Sequence, residues 1–399
     1  MRWWRSTGSA GYAIPAGRGV PPCCVMDPSA RKPVMTDMQS NSPYQHGGAP
    51  ARDLARFNLP EGRPVLDFSV NINCLGPPPV VGEKWMAMLP AVEQYPGVES
   101  GGAALYYRER FGIAAAGFLA GNGSTEMIYL APRILRPERV AVFTPSYHDY
   151  ERAALLSGAA VTRIPLSPGD GFSAPDRDSL AAMLGGVDAV FMGRPNNPTG
   201  ALVPKETVLD LAETFPETWF LIDEAFIQFM EDWEQQSLLF EKPRRNLLII
   251  HSLTKFYALA GLRLGGIAGA PETISRLREA KEPWTVNAIS DRIAPLLLEC
   301  NDYDEMTRQF TRMERERLLQ ELAAIEGIRP FSGRANFILC QWRRTRDLDD
   351  LLRHLLSHGV YVRDCRNFPG LETGFFRMGL RRAEENERLL SLFASFTGS

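Results

Sequence analysis

Four short apolar runs constrain this chain more than any other feature: VAVF (140–143), AVFM (189–192), FLIDE (220–224) and LLIIHS (247–252). None alternates between apolar and polar residues. Continuous runs of this length suit strands covered on both faces of a mainly parallel sheet. Helical stretches stand between them, so the fold class is α/β. From Thr285 the character changes. A long charged helix then precedes two or three strands and further helices, which reads as a second, smaller α+β domain.

The expected organisation has four parts. Residues 1–44 are rich in Gly, Pro, Ser and Arg, lack periodicity and hold no apolar core of a secretory signal. They read as a disordered tail or as an extension upstream of the true start. Residues 45–80 form an arm that joins the small domain. In this arm LDFSVNINCLGPPP (66–79) is a short strand running into a proline-rich turn. Residues 81–284 form the large domain and 285–399 the small one. The net charge of −3 over 399 residues argues against general nucleic-acid binding. No run approaches the roughly 18 apolar residues of a membrane helix. Six cysteines form no C-x-x-C pair and no zinc spacing, so they read as reduced thiols of a cytoplasmic protein.

The unusual residues fall where strand ends should lie, which is where doubly wound sheets bind ligands. Gly121-Asn122-Gly123-Ser124-Thr125 follows a short strand and opens a helix. The free N–H groups of such a helix start attract phosphate, although a glycine turn before a helix is also a common structural device. In RPNNPTG (194–200), Asn197 precedes Pro198 and is biased toward extended backbone; a plain turn would look the same. Asp223 ends an otherwise apolar strand, where a carboxylate is costly unless it meets a cation. HSLTKFYALAGLRLGG (251–266) holds a single lysine, Lys255. A lysine in apolar surroundings loses its proton more readily than a solvated one, and a neutral amine forms a Schiff base with an aldehyde. Together these groups suit pyridoxal phosphate. Asp223 would keep the pyridine nitrogen protonated, so that the ring serves as an electron sink. Asn197 would donate to the ring O3′, and Ser252 and Arg263 would join the glycine turn on the phosphate.

In their order along the chain these motifs resemble those of the fold-type I pyridoxal-phosphate enzymes, in the branch with histidinol-phosphate aminotransferase. They are Gly-Asn-Gly-Ser-Thr (121–125), Pro-x-Tyr-x-x-Tyr (145–150), Asn-Asn-Pro-Thr-Gly (196–200), Asp-Glu-Ala (223–225), Ser-Leu-Thr-Lys (252–255) and Gly-Leu-Arg-x-Gly (261–265). The resemblance implies a large domain with a mainly parallel seven-stranded sheet plus a smaller α+β domain. It implies Lys255 as the Schiff-base lysine, Asp223 on the pyridine nitrogen, Asn197 on O3′ and Tyr147 stacked on the ring. Ser124, Thr125, Ser252 and Arg263 would hold the cofactor phosphate. Tyr95 would reach the cofactor phosphate of a neighbouring subunit, which implies a homodimer with shared active sites.

Within that branch, LDFSVNINCLG (66–76), EPWTVNAIS (282–290), SGRANFILC (332–340) and the stretch 362–390 resemble the threonine-phosphate decarboxylase family of the cobalamin pathway, as does His46 in QHGG. That family converts L-threonine O-3-phosphate to (R)-1-amino-2-propanol O-2-phosphate and CO2. The implied partner is therefore a small phosphorylated amino acid. Arg377, Arg334 and Arg381 would hold its anionic groups, with His46 and Asn71 closing the site. Phe226 stands where the transaminases carry a tyrosine, and Arg381 where they have a glycine; both departures favour the decarboxylase. The alternatives are histidinol-phosphate aminotransferase and a serine-phosphate decarboxylase, whose substrate differs by one methyl, worth only ~1–3 kcal/mol of discrimination. A non-catalytic binding domain would have lost Lys255 or gained a DNA-binding extension. Tyr150 reads as packing, and His148, His354 and His358 as ordinary surface or helix residues.

Overall fold

The structure is a computed structural model that describes residues 44–62, 64–344 and 347–397. Except for Tyr44, the tail expected over 1–44 lies outside the described residues. In chain order the strands are β1 (Leu66–Asp67), β2 (Phe118–Asn122), β3 (Arg139–Thr144), β4 (Ala160–Pro165), β5 (Ala189–Gly193), β6 (Trp219–Asp223), β7 (Leu247–Ser252), β8 (Leu264–Ala268), β9 (Ile328–Phe331), β10 (Phe337–Trp342), β11 (Val360–Tyr361), β12 (Arg363–Asp364) and β13 (Phe375–Gly379).

Seven of them form one sheet in the order β2-β8-β7-β6-β5-β3-β4. Only β8 runs antiparallel to its neighbours; the other contacts from β7 to β4 are parallel. The expectation of a mainly parallel seven-stranded sheet in an α/β fold is met. The physical reason is the one the runs announced: β5 and β7 are buried at every position, so neither face can be left to water. β4, at the sheet edge, is mostly exposed and carries Thr162 and Arg163 in its middle.

A second sheet is antiparallel, in the order β12-β13-β10-β9, and β1 pairs in parallel with β11. The arm 45–80 therefore joins the C-terminal part of the chain through Leu66↔Val360 and Asp67↔Tyr361. Residues 43–399 hold all three sheets in one unit; within it we propose the boundary near residue 285 as a division by sheet. Among the described residues, no helix is long and apolar enough to cross a membrane.

The sheet order decides where ligands can sit. From β3 the chain steps outward to β4, then returns across β3 to β5, β6 and β7. Beyond the carboxyl ends of strands flanking such a reversal the connecting loops diverge and leave a crevice. The ends of β2, β3, β5, β6 and β7, and the start of β8, all lie on this edge.

Candidate active site

A cleft of about 250 Å³ opens along that edge. Its wall includes Thr125, Tyr147, Asn197, Phe226, Lys255 and Arg263 from the seven-stranded side. His46, Asn71, Arg363 and Arg377 come from the arm and the four-stranded sheet.

Lys255 sits on a one-turn helix, Leu253–Phe256, that follows β7 directly. Burial lowers its amine to about 8, and the positive charges of Arg263 and Arg377 press the same way against the pull of Asp223. Asp223, the last residue of β6, is buried. Burial pushes its carboxyl up, and hydrogen bonds restrain it. Tyr150 Oη donates to Oδ2 at 2.8 Å and the Ala225 N–H donates to Oδ1 at 2.9 Å. Tyr150 is itself fully buried, and burial followed by the Asp223 charge holds its phenol well above the usual tyrosine range. The hydroxyl therefore stays a donor.

The helix Ser124–Leu135 begins at the cleft. Its N-cap is Gly123, and no side chain caps it, so its first N–H groups are open to an anion. Gly123 has φ 74°, and a Cβ there would meet Arg263 Nη2 at 2.5 Å. The guanidinium lies against the helix start in the space that the missing side chain leaves. Arg263 has φ 58°, which a non-glycine residue adopts only at a cost. Its carbonyl accepts the Gly123 N–H at 3.0 Å, and that contact holds the strained turn. Gly265 brings the remaining pieces together: a Cβ there would meet Ser124 N at 2.8 Å and Ser252 Cα at 3.3 Å. Ser252 Oγ is shared with Thr254 Oγ1 at 2.8 Å. Ser124, Thr125, Ser252 and Arg263 thus come from three separate segments to one place.

Arg377 is buried, and burial first of all lowers its guanidinium to about 10. It donates through Nη1 to Asn197 Oδ1 and through Nη2 to the Ser69 carbonyl at 2.8 Å. Its Nε is buried without a partner among the described residues, as is Asn71 Oδ1. Arg363, 2 % exposed, donates to the Gln45 carbonyl at 2.6 Å and to Asn367 Oδ1 at 2.9 Å. His46 is half-exposed at the cleft rim, with Nε2 3.5 Å from Asp149 Oδ2 and its ring 5.8 Å from that of Tyr147.

Several expectations change. Arg334 does not line the cleft: its guanidinium turns outward to Asp232, although its N–H donates to Gly200 beside the Asn197 loop at 2.8 Å. Arg381 is also elsewhere. It pairs with Glu385 one turn on at 2.9 Å and donates to the Asp67 carbonyl at 3.1 Å, so it ties the arm down. The expectation for Tyr95 concerns a neighbouring subunit and stands apart from these: the residue is 83 % exposed, its ring tilted against that of Trp284 with centroids 5.0 Å apart. Tyr150 does more than pack, because it donates to Asp223. His148 is neither surface nor idle: it is buried, lines the cleft, and has its imidazole lowered to about 4 by burial. Arg363 was missed, yet VYVRDC (360–365) carries a signal, a lone charge inside an apolar run.

A neutral-prone amine, an asparagine and an anion-ready helix start line one cleft, and a buried carboxylate lies close by. Together they form a donor set that fits pyridoxal phosphate, and two further buried guanidiniums face it. The aminotransferase class I and II family model matches residues 63–393. A threonine-phosphate decarboxylase of Salmonella typhimurium is 34% identical over 330 residues, 82% of this chain and 90% of that protein. The adenosylcobalamin biosynthesis bifunctional protein CobDQ of Leptospira interrogans is 31% identical over 88% of this chain and 41% of its own length. The crystal structure of a histidinol-phosphate aminotransferase from Clostridium acetobutylicum superposes with a TM-score of 0.78 at 30% identity, covering 84% of this chain and 99% of that one.

Proposed function

The chain belongs to the aminotransferase class I and II family, and from that premise we propose that it is a pyridoxal-phosphate decarboxylase. Its substrate is L-threonine O-3-phosphate, its products are (R)-1-amino-2-propanol O-2-phosphate and CO2, and its place is in adenosylcobalamin biosynthesis. The similarity to threonine-phosphate decarboxylase and to CobDQ supports the pathway. The observation that carries the reading is one cleft holding Lys255 opposite two buried guanidiniums, Arg363 and Arg377. A substrate with a phosphate and a carboxylate needs two such partners.

Lys255 would hold the cofactor covalently, with Asp223 on its ring nitrogen, Asn197 on O3′ and Tyr147 against the ring. Ser124, Thr125, Ser252 and Arg263 would hold its phosphate. When bound, pyridoxal phosphate supplies the electron sink for the pair released at the substrate Cα. Arg363 and Arg377 bind and orient the two anionic groups, which fixes the Cα–carboxylate bond for cleavage. His46 and Asn71 close the cleft and exclude water. Nζ of Lys255 delivers the proton that replaces the carboxylate at Cα. Phe226, which lines the cleft, has no hydroxyl to offer.

The deciding experiment is phosphorus NMR of the purified protein with pyridoxal phosphate and L-threonine O-3-phosphate, with CO2 collected and no oxo acid present. Aminopropanol phosphate and CO2 in equal amounts are expected. Silence there, with turnover of histidinol phosphate once 2-oxoglutarate is added, would make the chain a transaminase. Serine phosphate run in parallel reads the preference for the β-methyl group.

Two further outcomes are expected. The rate at which cofactor-free protein captures pyridoxal phosphate rises with pH through a midpoint of about 8, where half of the Lys255 amine is neutral, and then levels off. The midpoint lies well below the range of an ordinary lysine, and following bound-cofactor absorbance from pH 6 to 10 checks it. Arg377→Lys keeps the charge but loses the second donor and the planar fork. A charge-assisted hydrogen bond is worth about 1.5–3 kcal/mol, so kcat/KM falls roughly 10- to 100-fold, mostly through KM.

We also propose a homodimer. The support is a set of exposed apolar side chains that includes Met86, Val92, Tyr95 and Trp284, the last two in ring contact. Tyr95 is exposed enough to meet a second copy.

A further inference from the structure

Lys255 has an awkward address. The helix that carries it is four residues long, and a single turn has little stability of its own. The chain that follows supports its end only weakly, the Ala258 N–H reaching the Lys255 carbonyl at 3.4 Å. The shorter contacts come from a segment about 180 residues away in sequence. The Asn73 N–H donates to the Lys255 carbonyl at 3.1 Å. Asn73 Nδ2 donates to the Phe256 carbonyl at 2.9 Å. One residue therefore caps two consecutive carbonyls of the lysine turn.

Asn73 is itself fixed. It is 5 % exposed. Its Oδ1 accepts the Leu75 N–H at 3.0 Å, which sets the amide plane. Nδ2 also faces Tyr303 Oη at 2.9 Å and Thr307 Oγ1 at 3.0 Å on the long helix Asn301–Ala324. Tyr303 Oη in turn donates to the Gly76 carbonyl at 2.6 Å. Two residues earlier on the same extended segment, Asn71 lines the cleft with a buried, unpartnered Oδ1. The arm thus presents one asparagine to the cleft and the next to the backbone beneath the lysine.

We propose that Asn73 is a positioning residue for Lys255: by capping the Lys255 and Phe256 carbonyls it holds Nζ at the cleft floor and shut off from water. The inference rests on the role proposed above for Lys255. Asn73 touches no reacting atom. A mutant turn would leave the amine mobile and better solvated, among the same neighbours Asp223, Arg263 and Arg377.

The test uses the full chain, stripped of cofactor and returned to pyridoxal phosphate, as native protein, Asn73→Ala, Thr307→Val and Lys255→Ala. Capture is followed by absorbance from pH 6 to 10, and each variant is melted. In Asn73→Ala the capture rate per folded molecule falls roughly tenfold, the effect of one hydrogen bond, and its pH midpoint moves up toward that of an ordinary lysine. Thr307→Val loses a partner of the same amide without touching the lysine turn, and keeps native rate and midpoint. Native rate and midpoint in Asn73→Ala, with only a lowered melting temperature, would reduce Asn73 to a structural residue and overturn the proposal. Should Asn73→Ala fail to fold, Asn73→Ser and Tyr303→Phe replace it. Tyr303→Phe removes the hydroxyl that holds the Asn73 amide and bonds the Gly76 carbonyl, and native behaviour in both would be equally decisive. No capture by native protein, or equal capture by Lys255→Ala, defeats the proposed function and this inference with it. Native capture with an unaffected Asn73 variant defeats the inference alone.

Discussion

Lys255→Ala releases no CO2 from L-threonine O-3-phosphate above the rate of the free cofactor. In the roles proposed for Lys255, the substitution removes the covalent anchor and the proton donor at Cα together. A positioned acid or base alone is worth about 10²- to 10⁴-fold, so the combined loss exceeds roughly 10³-fold and phosphorus NMR sees substrate only. The fold survives. Lys255 is a buried amine pushed down to about 8, which means that its charge is a burden to the native state, and truncation relieves it. The melting temperature of the cofactor-free variant is therefore equal to or above that of the cofactor-free native protein. Activity within tenfold of native, with unchanged melting, would remove Lys255 from the chemistry.

The second large effect concerns stability. Arg194 and Glu224 are both fully buried and meet at 2.6 Å, between the loops that leave β5 and β6. Most of its polar atoms are met: Ser237 Oγ donates to Glu224 Oε2 at 2.6 Å, the Leu238 N–H donates to Oε1 at 3.1 Å, and Arg194 Nε donates to the Val203 carbonyl at 2.7 Å, while Arg194 Nη2 has no partner among the described residues. Glu224→Ala strands a guanidinium in the interior, which costs about 3–5 kcal/mol, and urea unfolding shows it as a large drop in midpoint. The double variant Arg194→Met, Glu224→Leu regains much of the loss, because no unpaired charge remains. Removing an exposed pair such as Arg312–Glu316 changes stability by less than about 1 kcal/mol. A small effect of Glu224→Ala would mean that water reaches Arg194 in solution.

The pair matters to the site because of its neighbours in sequence. Arg194 precedes the Asn197 loop and Glu224 follows Asp223 directly. The Arg194 N–H also donates to the Asp223 carbonyl at 2.7 Å. The loop that carries the asparagine and the strand end that carries the carboxylate are thus pinned from behind.

What could be read in advance follows a physical line. Lys255, Asp223 and Asn197 stand out because each breaks a local apolar or turn pattern, and the fold brings Lys255 and Asn197 to the cleft wall, with Asp223 close by. Arg363 breaks its run in the same manner and was legible by the same criterion. Arg381 could have been read as local from Glu385 four residues on, the spacing of a helical ion pair. Arg334 could not: its direction is chosen by Asp232, 102 residues earlier. The link from Tyr150 to Asp223 spans 73 residues, and Asn73 reaches Phe256 across 183. Such pairings arise from strand order, which no local pattern encodes. The sheet was legible because strands buried on both faces must be apolar throughout. The order β12-β13-β10-β9 of the second sheet rests on contacts distant in sequence.

One consequence of the single reversed strand is metrical. β8 lies between β2, whose end opens the anion cradle, and β7, whose end carries the lysine; β6, with the carboxylate, comes next. Neighbouring strands sit about 4.8 Å apart. β7 therefore lies two spacings from β2 and β6 three, and the glycine at position 265 of β8 is what lets the ends of β2 and β7 close over that distance, with Ser124 N and Ser252 Cα both against it. The sheet works as a ruler whose graduations are backbone hydrogen bonds, so substitutions in the loops leave its length untouched. It fixes the order and separation of the strand ends from which the helix start, the lysine turn and the Asp223 carboxylate project.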